Sequence, residues 1–85
     1  MRRAYERITK KRRKVLEFIA RNPGATASQV AYELSRNSWE EARVYARVKW
    51  LEEHGYICVR REGDLRRRPL YLTAKGWRAL GREPL

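Results

Sequence analysis

The sequence predicts an α+β fold with a three-helix core, a two-stranded hairpin and a short last helix. Three observations point to it. Apolar residues recur at helical spacing in three successive stretches before Gly55. Beyond Gly55 the apolar period drops to two, which suits strands. A Thr or Ser stands ahead of each helical stretch, at Thr9, Thr26, Ser38 and Thr73, where its hydroxyl can take up a free N–H of the first turn.

Residues 1–8 form a basic arm with little pattern beyond Tyr5 and Ile8. Thr9 caps a helix running to about Asn22, with Val15, Leu16, Phe18 and Ile19 as its apolar set. The first turns of that helix (Lys10, Lys11, Arg12, Arg13, Lys14) are cationic. Positive charge there opposes the helix dipole, so those side chains are expected to have a partner. Asn22-Pro23-Gly24 stops the helix. Thr26 with Gln29 reads as a capping box, and Ala27, Val30, Ala31 and Leu34 make one stripe at i, i+3, i+4, i+7. This second helix ends near Ser35, and Arg36-Asn37 form a tight connection.

Ser38 with Glu41 reads as another capping box, opening a third helix over residues 38–54 that Gly55 ends. Val44, Val48 and Leu51 form its inner stripe. Trp39, Ala42, Arg43, Ala46, Lys49 and Trp50 fall on the side away from that stripe, with Tyr45 and Arg47 flanking it. Tyr56-Ile57-Cys58-Val59-Arg60-Arg61 is then a strand with Ile57 and Val59 inward. Residues 62–65 turn, and residues 66–72 return as a second strand with Leu70 and Leu72 inward. Pro69 has no N–H to donate, which makes that end of the hairpin an edge. Thr73 caps a last helix carrying Trp77 and Leu80, and residues 81–85 are a tail.

Composition narrows the function. A chain of 85 residues makes one small domain, covering residues 9–80, without room for a deep cavity between lobes. A formal net charge of +11 repels itself and is best matched by a polyanion, since Lys and Arg on phosphates release condensed counterions. A ribosomal or membrane-surface protein, or a heat-adapted surface, would carry such charge too. The single cysteine, Cys58, excludes an internal disulfide, and with one histidine it cannot make a zinc-finger site. No cofactor is expected. No apolar run reaches the roughly 18 residues a membrane span needs, and Met1-Arg2-Arg3 leads into charge rather than into a signal sequence. A cytoplasmic, nucleoid-associated location and no membrane partner are the expectations.

Two short helices joined by a tight turn, the second exposing a polar face, make a helix-turn-helix. A helix fits the major groove of B-DNA, which is about 12 Å wide. Small Ala42 and Ala46 would let the third helix approach bases, with Arg43 and Lys49 supplying donors. Five arginines (Arg60, Arg61, Arg66, Arg67, Arg68) crowd the hairpin tip, where a solvated tip without a partner is the bland alternative.

The run Val44-x-x-x-Val48-x-x-Leu51-Glu52-x-x-Gly55-Tyr56-Ile57, followed across a hairpin by Tyr71-Leu72-Thr73-Ala74-Lys75-Gly76, resembles the winged helix-turn-helix regulators, MarR-like and PadR-like above all. The stretch from Thr9 to Leu16 fits the same pattern, and the resemblance spans residues 9–80. It implies that residues 38–54 are a recognition helix for the major groove of double-stranded DNA. It also implies that residues 60–68 are a wing laid on the backbone or in the minor groove. The expected contact set is Trp39, Arg43, Ala46, Arg47 and Lys49 on the helix and Arg60, Arg61, Arg66, Arg67 and Arg68 on the wing, with Lys10 and Lys11 beside them.

Other residues are read more plainly. Trp39 and Trp50 suit either DNA or packing, Trp77 is expected in the core, His54 exposed, and Cys58 a half-exposed thiol. No carboxylate pair has a His, Ser or Cys companion at a catalytic spacing, so no enzyme is expected. Transcription regulation is the leading function. A non-specific architectural protein, or a protein-interaction subunit of a replication, transcription or RNA-processing complex, remain alternatives. With no long helix after Leu80, at best a weak homodimer, reinforced by DNA, is expected. No small-molecule effector is evident.

Overall fold

The computed structural model describes residues 8–60 and 67–82. Its elements are α1 (Lys10–Arg21), α2 (Ala27–Leu34), α3 (Ser38–Glu53), β1 (Ile57–Val59), β2 (Leu70–Leu72) and α4 (Ala74–Ala79). Except for Ile8, Gly81 and Arg82, the arm and tail expected from the sequence lie outside the described residues, as do Arg61 and Arg66.

The caps explain the boundaries. Thr9 accepts from Arg12 N, and Thr73 from Gly76 N. Thr26 and Gln29 make the full reciprocal box expected of them. At α3 the expectation needs correction: Asn37, not Ser38, is the cap, and its side chain accepts from Glu40 N at 2.9 Å. Glu40 reaches back to Arg36 N at 2.7 Å. Asn37 has extended backbone (φ −155°) while Ser38 is already helical, so the cap sits one residue earlier, and Glu40 takes the N–H of Arg36 rather than that of the cap, so the reciprocal box expected here does not form. At the other end of α3, Gly55 takes φ +81°, and Tyr56 N–H donates to Leu51 O at 2.9 Å while Gly55 N–H donates to Glu52 O at 3.1 Å. That pair of bonds turns the chain from helix to strand and needs the left-handed residue that Gly supplies.

The core is one cluster. Val15, Leu16 and Ile19 of α1, Val30 and Ala31 of α2, and Val44, Val48 and Leu51 of α3 meet Ile57 and Leu70 from the hairpin. These are the stripes the periodicity marks out, with Ala27, Leu34, Val59 and Leu72 packed at its margin. Trp77 is half-buried and stands outside the cluster, whose seat from this end is taken by Leu80.

The hairpin is antiparallel, pairing Ile57 with Leu72 and Val59 with Leu70. The strands are shorter than the sequence pattern suggests. Arg60 N–H still donates to Pro69 O at 3.1 Å, but Pro69 has nothing to return, and ladder pairing stops there. The other edge of β2 is not open. Gly24 N–H donates to Leu70 O and Leu70 N–H to Ala25 O, both at 2.9 Å, so the α1–α2 connection adds a third short rung. Two of the cations opening α1 find partners inside the domain. Arg13 donates to Ala79 O and Leu80 O at the end of α4, and the Arg12 guanidinium lies 3.7 Å over the Trp50 ring. No helix among the described residues is long and apolar enough to cross a membrane.

Candidate nucleic-acid interface

The candidate surface is built on α3. Its buried stripe fixes which side faces outward. Ala42 and Ala46 lie on the exposed side and add almost no bulk, so the α3 backbone there is open to close approach. Lys49 is exposed one turn further along. Tyr45 holds α3 against α2 through a 3.0 Å hydrogen bond between its hydroxyl and Ser28 Oγ. The angle between these two helices therefore has a polar pin on the outside as well as the apolar core within.

The hairpin brings Arg67 and Arg68 to one side of this helix. Arg68 Nη2 lies 3.5 Å from Glu52 Oε2, tying the root of the hairpin to α3. The Arg60 guanidinium lies 4.4 Å over the Tyr71 ring. Arg67 is exposed and shares a groove with Ser28, Gln29 and Tyr32 of α2 and with Glu41 and Tyr45 of α3. These α2 residues were not singled out from the sequence. Tyr32 falls off the Ala27-Val30-Ala31-Leu34 stripe, and an aromatic on the polar side of a helix is the signal that could have marked it; it is 75% exposed.

The remaining helix residues border a second cleft. Residues two apart on a helix are separated by about 160° around its axis, so Arg43 and Arg47 stand on the flank opposite Tyr45 and Lys49. There they line a second cleft with Lys11 and Lys14 of α1. Trp39 opens onto the same cleft, 71% exposed, with the Arg43 guanidinium 5.5 Å from its ring. Lys10 is exposed at the first position of α1.

One expectation is corrected here, that of an exposed His54, and Trp50, read as suiting either DNA or packing, is packed. Trp50 does not present itself outward. It is half-buried, covered by Arg12, stacked on His54 at 3.9 Å and 6.0 Å from the Tyr56 ring. His54 is correspondingly half-buried, its Nδ1 2.9 Å from Trp50 O. The cause is the turn at Gly55, which folds Tyr56 back beneath the last turn of α3.

The order of elements, the α2–α3 corner and the hairpin beside α3 match a solved structure. The chain superposes on Streptococcus pneumoniae FabT, solved in complex with DNA, with a TM-score of 0.72 and 32% identity over 92% of this chain. The fold is a winged helix-turn-helix. In this fold α2 and α3 make the helix-turn-helix, and β1 and β2 are the paired strands of the hairpin. This chain spans about half of FabT, 52% of its length. Neither a family model nor a curated protein matches the sequence.

Proposed function

We propose that this winged helix binds double-stranded DNA, with α3 in the major groove and the wing on the backbone or in the minor groove, as a transcription regulator of the MarR-like or PadR-like kind. The observation that carries the reading is the juxtaposition at α3. A helix with two exposed alanines and Lys49 on its outer side is bordered, from the hairpin, by Arg67, which shares a groove with Glu41 and Tyr45, and by Arg68, paired with Glu52. Small residues admit the base edges, and arginines bind phosphate oxygens in their fork geometry. FabT, with the same fold, was solved with DNA, and the Leu51-Glu52-x-x-Gly55 and Leu72-Thr73-x-x-Gly76 runs support the narrower assignment. A nucleoid-associated location belongs to the same reading.

The test is a titration of labelled duplex at several salt concentrations. Contact with about five phosphates or more gives log K against log salt a slope of magnitude about 4–5 or steeper. An affinity indifferent to salt overturns the reading. A preferred site selected from random duplexes marks a regulator, and equal affinity for all of them marks an architectural protein.

A further inference from the structure

The cleft between α1 and α3 is left over once the duplex is assigned to the outer side of α3 and the wing. Among the described residues, its charge is more one-sided than that of the groove beside the hairpin. Lys11, Lys14, Arg36, Arg43 and Arg47 line the cleft, against the carboxylates of Glu33 and Glu40. One of these, Glu40, is held by the backbone N–H of Arg36 at 2.7 Å. The groove beside the wing has, among the described residues, Arg67 against Glu33 and Glu41.

The cleft also contains Trp39, the most exposed tryptophan among the described residues at 71%, on the second residue of α3. A tryptophan left that open forgoes most of the burial that usually accounts for its presence. Its neighbour over the ring is the Arg43 guanidinium rather than an apolar side chain. A basic cleft with an exposed aromatic face is the arrangement that takes a single strand. Phosphates follow the cations, and an unpaired base stacks on the ring. In an intact duplex the base faces are covered by their neighbours, so Trp39 would find no such partner there.

We propose that the α1–α3 cleft is a second nucleic-acid site, which holds a single-stranded segment by stacking a base on Trp39 while Lys11, Lys14 and Arg47 bind its phosphates. Trp39 lies on the same face of α3 as Ala42 and Ala46, three and seven residues on, so the site adjoins the duplex surface at that residue, and a protein with both would favour a duplex that carries a single-stranded end or an opened stretch.

The test uses the whole chain, a short oligothymidylate and a blunt duplex of mixed sequence, each fluorescently labelled and titrated at one salt concentration. Wild type is expected to bind the oligothymidylate with quenching of tryptophan fluorescence. W39A is expected to lose about 5- to 150-fold in oligothymidylate affinity, the range for one stacked base, and so to lower the ratio of single-strand to duplex affinity by nearly that factor. K11E/K14E is expected to weaken the oligothymidylate as well. A thermal melt checks that each variant folds, which exposed positions permit. No oligothymidylate binding by wild type, an unchanged affinity in W39A, or an equal loss on both ligands overturns the inference. In the last case Trp39 belongs to the duplex interface. Loss of duplex binding by wild type with oligothymidylate binding intact would instead count against the duplex reading alone.

Discussion

Gly76 offers the sharpest test of how this fold is held together, because two physical effects predict opposite signs for Gly76→Ala. Gly76 lies inside α4 with ordinary helical backbone, where an alanine gains about 1 kcal/mol of helix propensity over glycine. Propensity alone therefore makes the variant more stable. Packing says the reverse. A Cβ on Gly76 would stand under 3.0 Å from the Tyr56 carbonyl oxygen, 3.3 Å from the carbonyl carbon and 3.4 Å from Leu72 Cδ2. Carbon approaches a carbonyl oxygen to about 3.3 Å at best, so α4 or the Tyr56 peptide must move by roughly 1 Å.

Neither moves cheaply. The same Tyr56 oxygen accepts from Thr73 N–H at 3.1 Å, and the Thr73 hydroxyl donates to Gly55 O at 2.6 Å while accepting from Gly76 N. Overpacking costs about 1–3 kcal/mol and a lost hydrogen bond about 1 kcal/mol, against the gain of about 1 kcal/mol from propensity. The net is a loss of about 2 kcal/mol. For a domain this size that lowers Tm by about 8–16 °C, readable by circular dichroism at 222 nm. The control is Gly81→Ala. Gly81 has φ +73° and no atom within 4 Å of its added Cβ, so only the backbone cost of roughly 1–2 kcal/mol remains. A Gly76→Ala protein that melts at or above wild type would refute the packing account.

Further expectations are more local. Asn37→Ala should cost about 1 kcal/mol in chemical denaturation, the worth of a helix cap, while Ser38→Ala should stay within about 0.5 kcal/mol; the reverse order would restore Ser38 as the cap. Arg67→Ala should weaken all duplex sequences alike and reduce the salt slope by about one, whereas Lys49→Ala should change which sequence is selected. Site selection with both variants decides this, and identical selected sites would show that Lys49 reads no base.

How much of this was legible beforehand follows from the range of each interaction. The apolar stripes, three of the four caps and the Gly55 turn are local patterns, and they fell where periodicity and capping chemistry put them. The rung between Ala25 and Leu70 was not legible, because it joins backbone groups far apart in sequence and asks nothing of their side chains. For Trp50, which suited either DNA or packing, the choice was not legible for a related reason. A helical wheel sees only its own helix, whereas Arg12 from α1 and Tyr56 from beyond the turn cover that ring. Arg43 and Lys49 share the outward half of the wheel, yet only the placement of α1 on one flank and the wing on the other shows that they face different surroundings.

That placement sets the domain against itself, and salt should reveal it. Packing α1 on α3 gathers Lys11, Lys14, Arg36, Arg43 and Arg47 around one cleft, more cations than the two carboxylates there, Glu33 and Glu40, offset, in a chain of net charge +11. Two like charges about 8 Å apart repel by roughly 0.5 kcal/mol in water, and several such pairs sum to about 1–2 kcal/mol against folding. The exposed pairs Arg13–Glu17 at 3.3 Å and Arg68–Glu52 at 3.5 Å return little, since surface ion pairs are worth about 0–1 kcal/mol. Raising salt from 0.01 M to 1 M shrinks the screening length from about 30 Å to about 3 Å and removes most of that repulsion. The free protein should therefore gain stability with sodium chloride, by about 5 °C or more in Tm, while its affinity for duplex DNA falls over the same range. Lys14→Glu should raise Tm at low salt and flatten the dependence. A Tm that falls as salt rises would mean that attractive pairs outweigh the cleft's repulsion, and the cations would then owe their position to folding rather than to a polyanion.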